Sequence, residues 1–135
     1  MARTNFEKLE VYILAEKLAD AIWDIVIRWP PFWRNTVGGQ MCRAADGIGS
    51  NIAEGAGRGS FQDNRRFVRI ARASLYETKY WLRRSYKRNL LTPKQVDQLK
   101  PLVDELSPKL NNYLKSIGRI PKADSSDCAL ETTDN

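Results

Sequence analysis

The sequence predicts an all-α protein built as an antiparallel up-down four-helix bundle. Four long segments carry apolar residues at helical spacing, strong breakers separate them, and no stretch shows the strict alternation of a strand. Short connections between long helices favour antiparallel neighbours. A chain of 135 residues is long enough for one such domain to bury a core without cross-links. The domain is assigned to residues 1–118, and residues 119–135 to an acidic polar tail expected to be disordered.

The first helix is expected from Phe6 to Trp29, with Val11, Ala15, Leu18, Ile22, Ile25 and Trp29 on one stripe. Pro30-Pro31 ends it, since proline donates no ladder hydrogen bond and restricts the residue before it. The second is expected from Val37 to Glu54, with Met41, Ala45, Ile48 and Ile52 on its core face. Gly47, Gly49, Ser50 and Ala53 weaken helix propensity but let another backbone come close. Gly55 is read as a left-handed cap.

Ser60, with Asp63 three residues on, marks an N-cap that opens the third and longest helix, Phe61 to Asn89. Its apolar face is read as Phe67, Ala71, Ser74, Leu75, Thr78, Leu82 and Ser85. Thr92-Pro93 is an N-cap followed by proline at the first helical position. The fourth helix follows with a seam of Val96, Leu99, Val103, Leu106, Leu110, Tyr113 and Ile117. Pro101 and Pro108 inside it predict a kink or local break.

The charge is concentrated. Between Arg58 and Leu90 ten basic residues face two acids, a surplus of eight, whereas from Pro121 onward one lysine meets four acids. On a helical wheel Arg65, Arg69, Arg72, Lys79, Arg83 and Lys87 share one narrow sector, with the apolar face roughly opposite. Tyr76 lies inside that sector and Tyr80 beside it. Guanidinium groups bind phosphate in a bidentate manner, and tyrosine rings stack on unpaired bases. A charged stripe is also what a solvated helix face looks like. Two features favour a polyanion partner: arginine outnumbers lysine, and acidic partners at four-residue spacing are missing. The acidic tail is a potential competitor for this face in cis.

Catalysis has no motif behind it. The chain has no histidine, which removes the commonest general base and metal ligand. Glu54 and Glu77 form a conceivable carboxylate pair, but a ferritin-like centre needs further Glu and a Glu-x-x-His motif. Each is read instead as an arginine partner, Glu54 with Arg43 or Arg58. Gly55-Ala56-Gly57-Arg58-Gly59-Ser60 lacks the strand and the Gly-Lys-Ser ending of a nucleotide loop. No enzyme activity, metal or cofactor is expected. Cys42 reads as a small core residue, and Cys128 in the tail gives no disulfide framework, so a reducing, cytoplasmic setting is expected. No secretory signal is expected behind Met1–Asn5, and Asp24 and Arg28 interrupt the longest apolar run. Trp29-Pro30-Pro31-Phe32-Trp33 gathers aromatics that suit a partner surface if exposed and cap the core if buried.

Gln40-Met41-Cys42-Arg43-Ala44-Ala45, then Ile48-Gly49-Ser50-Asn51-Ile52-Ala53-Glu54-Gly55 and Gly57-Arg58, resemble the four-helix bundle family named for proteins of 23S rRNA intervening sequences. Phe67, Ala71, Ser74, Leu75 and Glu77 match the helix that follows in that family. Gly47 departs from the usual serine, which puts the packing there in doubt. The resemblance covers roughly residues 6 to 117. Tyr80-Trp81-Leu82-Arg83 and Leu91-Thr92-Pro93-Lys94-Gln95-Val96 are also similar to the accessory variability proteins of diversity-generating retroelements. That similarity implies a homopentamer, a basic surface that binds nucleic acid and a reverse transcriptase partner. In such an assembly Gln40, Arg43, Asn51, Glu54 and Glu77 would tie subunits or helices together.

The expected function is a non-enzymatic nucleic-acid-binding accessory protein, with RNA or an RNA–DNA hybrid as ligand. Arg65, Arg69, Arg72, Lys79, Arg83 and Lys87 would contact phosphate, and Tyr76 and Tyr80 would stack. The alternative is an oligomeric interaction scaffold whose basic face meets an acidic protein.

Overall fold

The computed structural model describes residues 6–119. The tail expected from residue 119 therefore lies, beyond Arg119, outside the described residues, as do Cys128 and Met1–Asn5. A 3-10 turn, Phe6–Lys8, leads into helix α1, Glu10–Val26. One α-helical turn, α2 (Pro31–Trp33), runs through a π turn at Arg34–Gly38 into α3, Gly39–Ala56. Helices α4, Phe61–Lys87, and α5, Pro93–Ser116, complete the chain. Among the described residues there is no strand.

The caps follow the sequence closely. Ser60 Oγ accepts from the Asp63 amide at 3.1 Å and opens α4. Thr92 Oγ1 accepts from the Gln95 amide while Gln95 Oε1 accepts from the Thr92 amide, a complete capping box that opens α5. At the end of α4, Asn89 takes φ +61°, and the Leu90 amide donates back to the Ser85 carbonyl at 2.9 Å. That is a Schellman closure with asparagine in the left-handed position.

Three expectations are corrected. Helical structure resumes at Pro31, six residues before Val37, because proline at a first helical position lacks only an amide that would be unpaired there. Helix α5 runs unbroken across Pro101 and Pro108, both on its exposed side, so the local break, one form of the expectation, is not formed. Gly55 is not a left-handed cap. It lies inside α3, which ends at Gly57 with φ −86°. A Cβ on Gly55 would stand 2.6 Å from Asn64 Oδ1 and 3.0 Å from both the Asn64 carbonyl and Phe67 Cβ. The glycine is there because α3 and α4 nearly touch at this level. At the departure from the family pattern, a Cβ on Gly47 would meet Ser74 Oγ at 3.0 Å, so the missing side chain is matched by a close serine.

The four long helices form a ring in which α1 lies beside α3 and α5, and α4 beside α3 and α5. Contacts between opposite ends show the antiparallel arrangement: Tyr12 with Gly49, Met41 with Ser85, and Arg65 with Ile117. Leu18, Ile22, Ile48, Ile52, Leu106 and Leu110 are almost wholly buried at the centre. Each such side chain contributes about 1.5–3 kcal/mol relative to exposure. Helix α4 supplies Val68, Ala71 and Leu75 together with Thr78 and Ser85. The Thr78 hydroxyl donates to the Ser74 carbonyl and that of Ser85 to Met41 Sδ, so both buried polar groups are satisfied. Phe67, Ser74 and Leu82, placed on the core face by the sequence, lie at its half-buried margins.

Candidate nucleic-acid interface

The long helix α4 orders its cations along one side, but that side is not opposite the core. It flanks the core face and runs over the seam with α5. Arg72 Nη1 reaches Asn111 Oδ1 of α5 at 3.4 Å. Lys79 and Arg83 line a groove whose apolar walls include Leu82, Leu91, Leu99 and Val103. The expected row therefore lies over two helices, α4 and α5. From Arg65 to Lys87 it extends on the order of 30 Å along the helix.

Arg65 does not belong to the solvent-facing row. It is only 8% exposed, and its Nη1 donates to the Ile117 carbonyl at 2.8 Å. It holds the end of α5, a position to which the partial negative charge of that helix terminus draws a cation. Arg69, Arg83 and Lys87 are exposed, whereas Arg72 and Lys79 are half-buried. None of these five pairs with a carboxylate among the described residues; the one ion pair on α4 joins Arg66 to Asp63 at 3.6 Å. Lys100, across the groove, is engaged by Asp104 at 2.7 Å, so that acid does not neutralise the row.

Aromatic rings stand among the cations. Tyr76 is 59% and Tyr80 52% exposed. Lys79 Nζ lies 5.2 Å from the Tyr76 ring centroid, and Tyr80 packs edge-on to Trp81 at 5.0 Å. Both rings are held by neighbours while keeping open surface, the condition for stacking on a flat ligand. The sequence reading missed Tyr86, which is as exposed as these two and lines the same groove. Its signal was present, for it follows Lys79 by two helical turns. It also missed Lys115 and Arg119, which line a second cleft with Arg65, Arg69 and Arg72. Those two meet α4 only because α5 runs antiparallel to it.

The five residues assigned to tying helices or subunits make no bond to another helix in the described structure. Asn51 Nδ2 donates to Gly47 O of its own helix at 2.7 Å, and Glu77 accepts from Trp81 Nε1 at 3.2 Å within α4. Gln40, Arg43 and Glu54 are exposed. The expected pairing of Glu54 with Arg43 or Arg58 is not formed; Arg58 lies instead over the Phe67 ring, 4.6 Å from its centroid, as Arg66 does at 4.5 Å. The aromatic cluster divides: Trp29 is buried and caps the core, while Phe32 is 76% exposed. Cys42 is half-buried against the core, and burial followed by the charge of Asp46 pushes its thiol pKa up. Among the described residues no three His, Cys, Asp or Glu gather as a metal site, and no helix is long and apolar enough to cross a membrane.

The model of the family described as 23S rRNA-intervening sequence protein matches residues 7–112. The chain belongs to that family. A solved structure, described as a protein with unknown function from the S23 ribosomal protein family of Bacteroides thetaiotaomicron VPI-5482, superposes with a TM-score of 0.69 at 23% identity. The match covers 78% of this chain and 99% of that one, and at this identity it shows the fold alone. No curated protein matches the chain. The 23S rRNA-intervening sequence family match ends at residue 112, so it includes the whole of α4 but stops short of Lys115 and Arg119.

Proposed function

We propose that this chain is a non-enzymatic accessory protein that binds nucleic acid, with RNA as the favoured ligand. The observation that carries this reading is the ridge over the α4–α5 seam. Arg69, Arg72, Lys79, Arg83 and Lys87 have no carboxylate partner there, and Tyr76 and Tyr80 stand exposed between them. Cations hold a backbone without reading sequence, and the rings take unpaired bases. The family description, which refers to the 23S rRNA-intervening sequence, supports an RNA-associated role.

The same reading extends to a reverse transcriptase partner and a homopentamer, as the resemblance to retroelement accessory proteins implies, in a cytoplasmic setting. Trp23, Ile27 and Phe32, all exposed, supply apolar surface for a subunit contact. Fluorescence anisotropy with matched single-stranded RNA, single-stranded DNA and duplex tests the ligand. Binding to the single strands should fall when Tyr76 and Tyr80 become Ala, by about 1–3 kcal/mol per stacked base. Equal loss on duplex, or none on single strands, would remove the stacking role.

A second reading has one observation in its favour. The groove of Leu82, Leu91, Val96, Leu99 and Val103 is also lined by Lys79 and Arg83, and by Lys100 already paired with Asp104. That chemistry suits an acidic amphipathic segment of a protein partner. A complex that survives nuclease treatment would favour this scaffold role.

A further inference from the structure

Where the first turns of α4 meet the end of α5, the ridge opens at Arg69 and Arg72 into a polar cleft of about 400 Å³. Arg65, Arg69, Arg72, Lys115 and Arg119 line it together with Leu114 and Ile117, and among the described residues no acid does. Three of the five cations come from one face of α4 and two from the end of α5, so tertiary packing completes the cluster. At the base is Arg65, more than nine-tenths buried. Its Nη1 is used on the Ile117 carbonyl, while Nη2 is buried with no hydrogen-bond partner among the described residues. A buried guanidinium with one neutral acceptor and an idle N–H is incompletely compensated, and burying a charge in that condition is costly.

The geometry points to a binding site for a phosphate monoester in this cleft. A compact dianion with several acceptor oxygens would share the charges of Arg69, Arg72, Lys115 and Arg119, and a small shift of the Arg65 guanidinium would bring its buried, idle Nη2 onto one of those oxygens. Gly118 packs directly against Arg65. It holds φ +83°, and a Cβ there would stand 2.9 Å from Arg65 Nη1 and 3.2 Å from the Phe61 ring. The site shares Arg69 and Arg72 with the row and differs from it in Arg65, Lys115 and Arg119, the last two of which reach only this end of the bundle. It does not depend on the ridge binding RNA. The phosphate comes either from the end of a nucleic-acid strand or from a free phosphorylated molecule.

The test uses the full chain and its Lys115→Gln/Arg119→Gln variant, two exposed positions whose change leaves the core intact. Calorimetry with inorganic phosphate, set against sodium chloride at matched ionic strength, should show saturable binding in the parent. In the variant it should weaken by about tenfold or more. Arg65→Lys keeps the charge but loses the forked donor, and should weaken phosphate binding while thermal melting confirms that it folds. Competition with RNA bearing a 5′-phosphate, a 3′-phosphate or only hydroxyl ends identifies the source: displacement by a phosphorylated end alone assigns a strand terminus, and displacement by none of them assigns a free small molecule. Phosphate binding no stronger than the chloride control, or unchanged in Lys115→Gln/Arg119→Gln, would overturn the site whether or not the parent binds RNA.

Discussion

Arg65 Nη1 donates to the carbonyl of Ile117 across fifty-two residues of sequence, at 2.8 Å. This bond ties the first turns of α4 to the residue that caps the end of α5, and it explains why one of the six basic-sector residues is not available to solvent.

Removing this tie should destabilise the bundle. Arg65→Ala leaves the Ile117 carbonyl without its donor, at a cost of about 1.5–3 kcal/mol for a hydrogen bond involving a charged group. Gly118→Ala should also destabilise, by roughly 1–2 kcal/mol, because a side chain at φ +83° is strained and meets Arg65. Urea denaturation measures both. Loss in neither would mean that the end of α5 is not held by Arg65.

The glycines of α3 should divide by what they face. Gly55→Ala brings a Cβ against the Asn64 backbone and Phe67, so the helices must part, at about 1–3 kcal/mol. Gly49→Ala meets Tyr12 and Ala15 at 3.5 Å or more, ordinary contact, and should be neutral or stabilising by up to about 1 kcal/mol through helix propensity. Thermal melts of the two variants should move in different directions, or at least differ clearly.

Much of this was legible in the sequence, because the relevant signals are local. Ser60 and Thr92 satisfy amides three residues away, so their patterns announce the helix starts. The surplus of arginine on α4 is likewise a matter of counting. Gly55 was misread because a glycine that ends a helix and one that admits a neighbour look alike until the neighbour is placed. The azimuth of the row was misjudged because the core face of α4 is narrow and partly polar, with Thr78 and Ser85 at its buried centre. Nothing local joins Lys115 and Arg119 to Arg69; antiparallel packing does that.

Stability should carry a small acid-dependent signature from Asp46. Burial, and then the nearby Asp20 carboxylate, raise its pKa above the ordinary range. The folded state therefore holds this proton more tightly than the unfolded chain does. The ionised carboxylate costs stability at neutral pH, and the cost vanishes as pH falls below about 4, where both states are protonated. Asp46→Asn should stabilise at pH 7 by no more than about 0.5 kcal/mol, since the site is well exposed to solvent screening. The gain should disappear in melts near pH 3.5 or below. A gain that grows on acidification would contradict the assignment.

The most direct test of the ridge is the salt dependence of single-stranded RNA binding by the parent and by Arg69→Ala/Arg83→Ala. Losing two phosphate contacts should flatten the slope of log K against log salt by about 1.4. An unchanged slope, or parental affinity that is indifferent to salt up to about 0.5 M, would show that these arginines do not hold the strand.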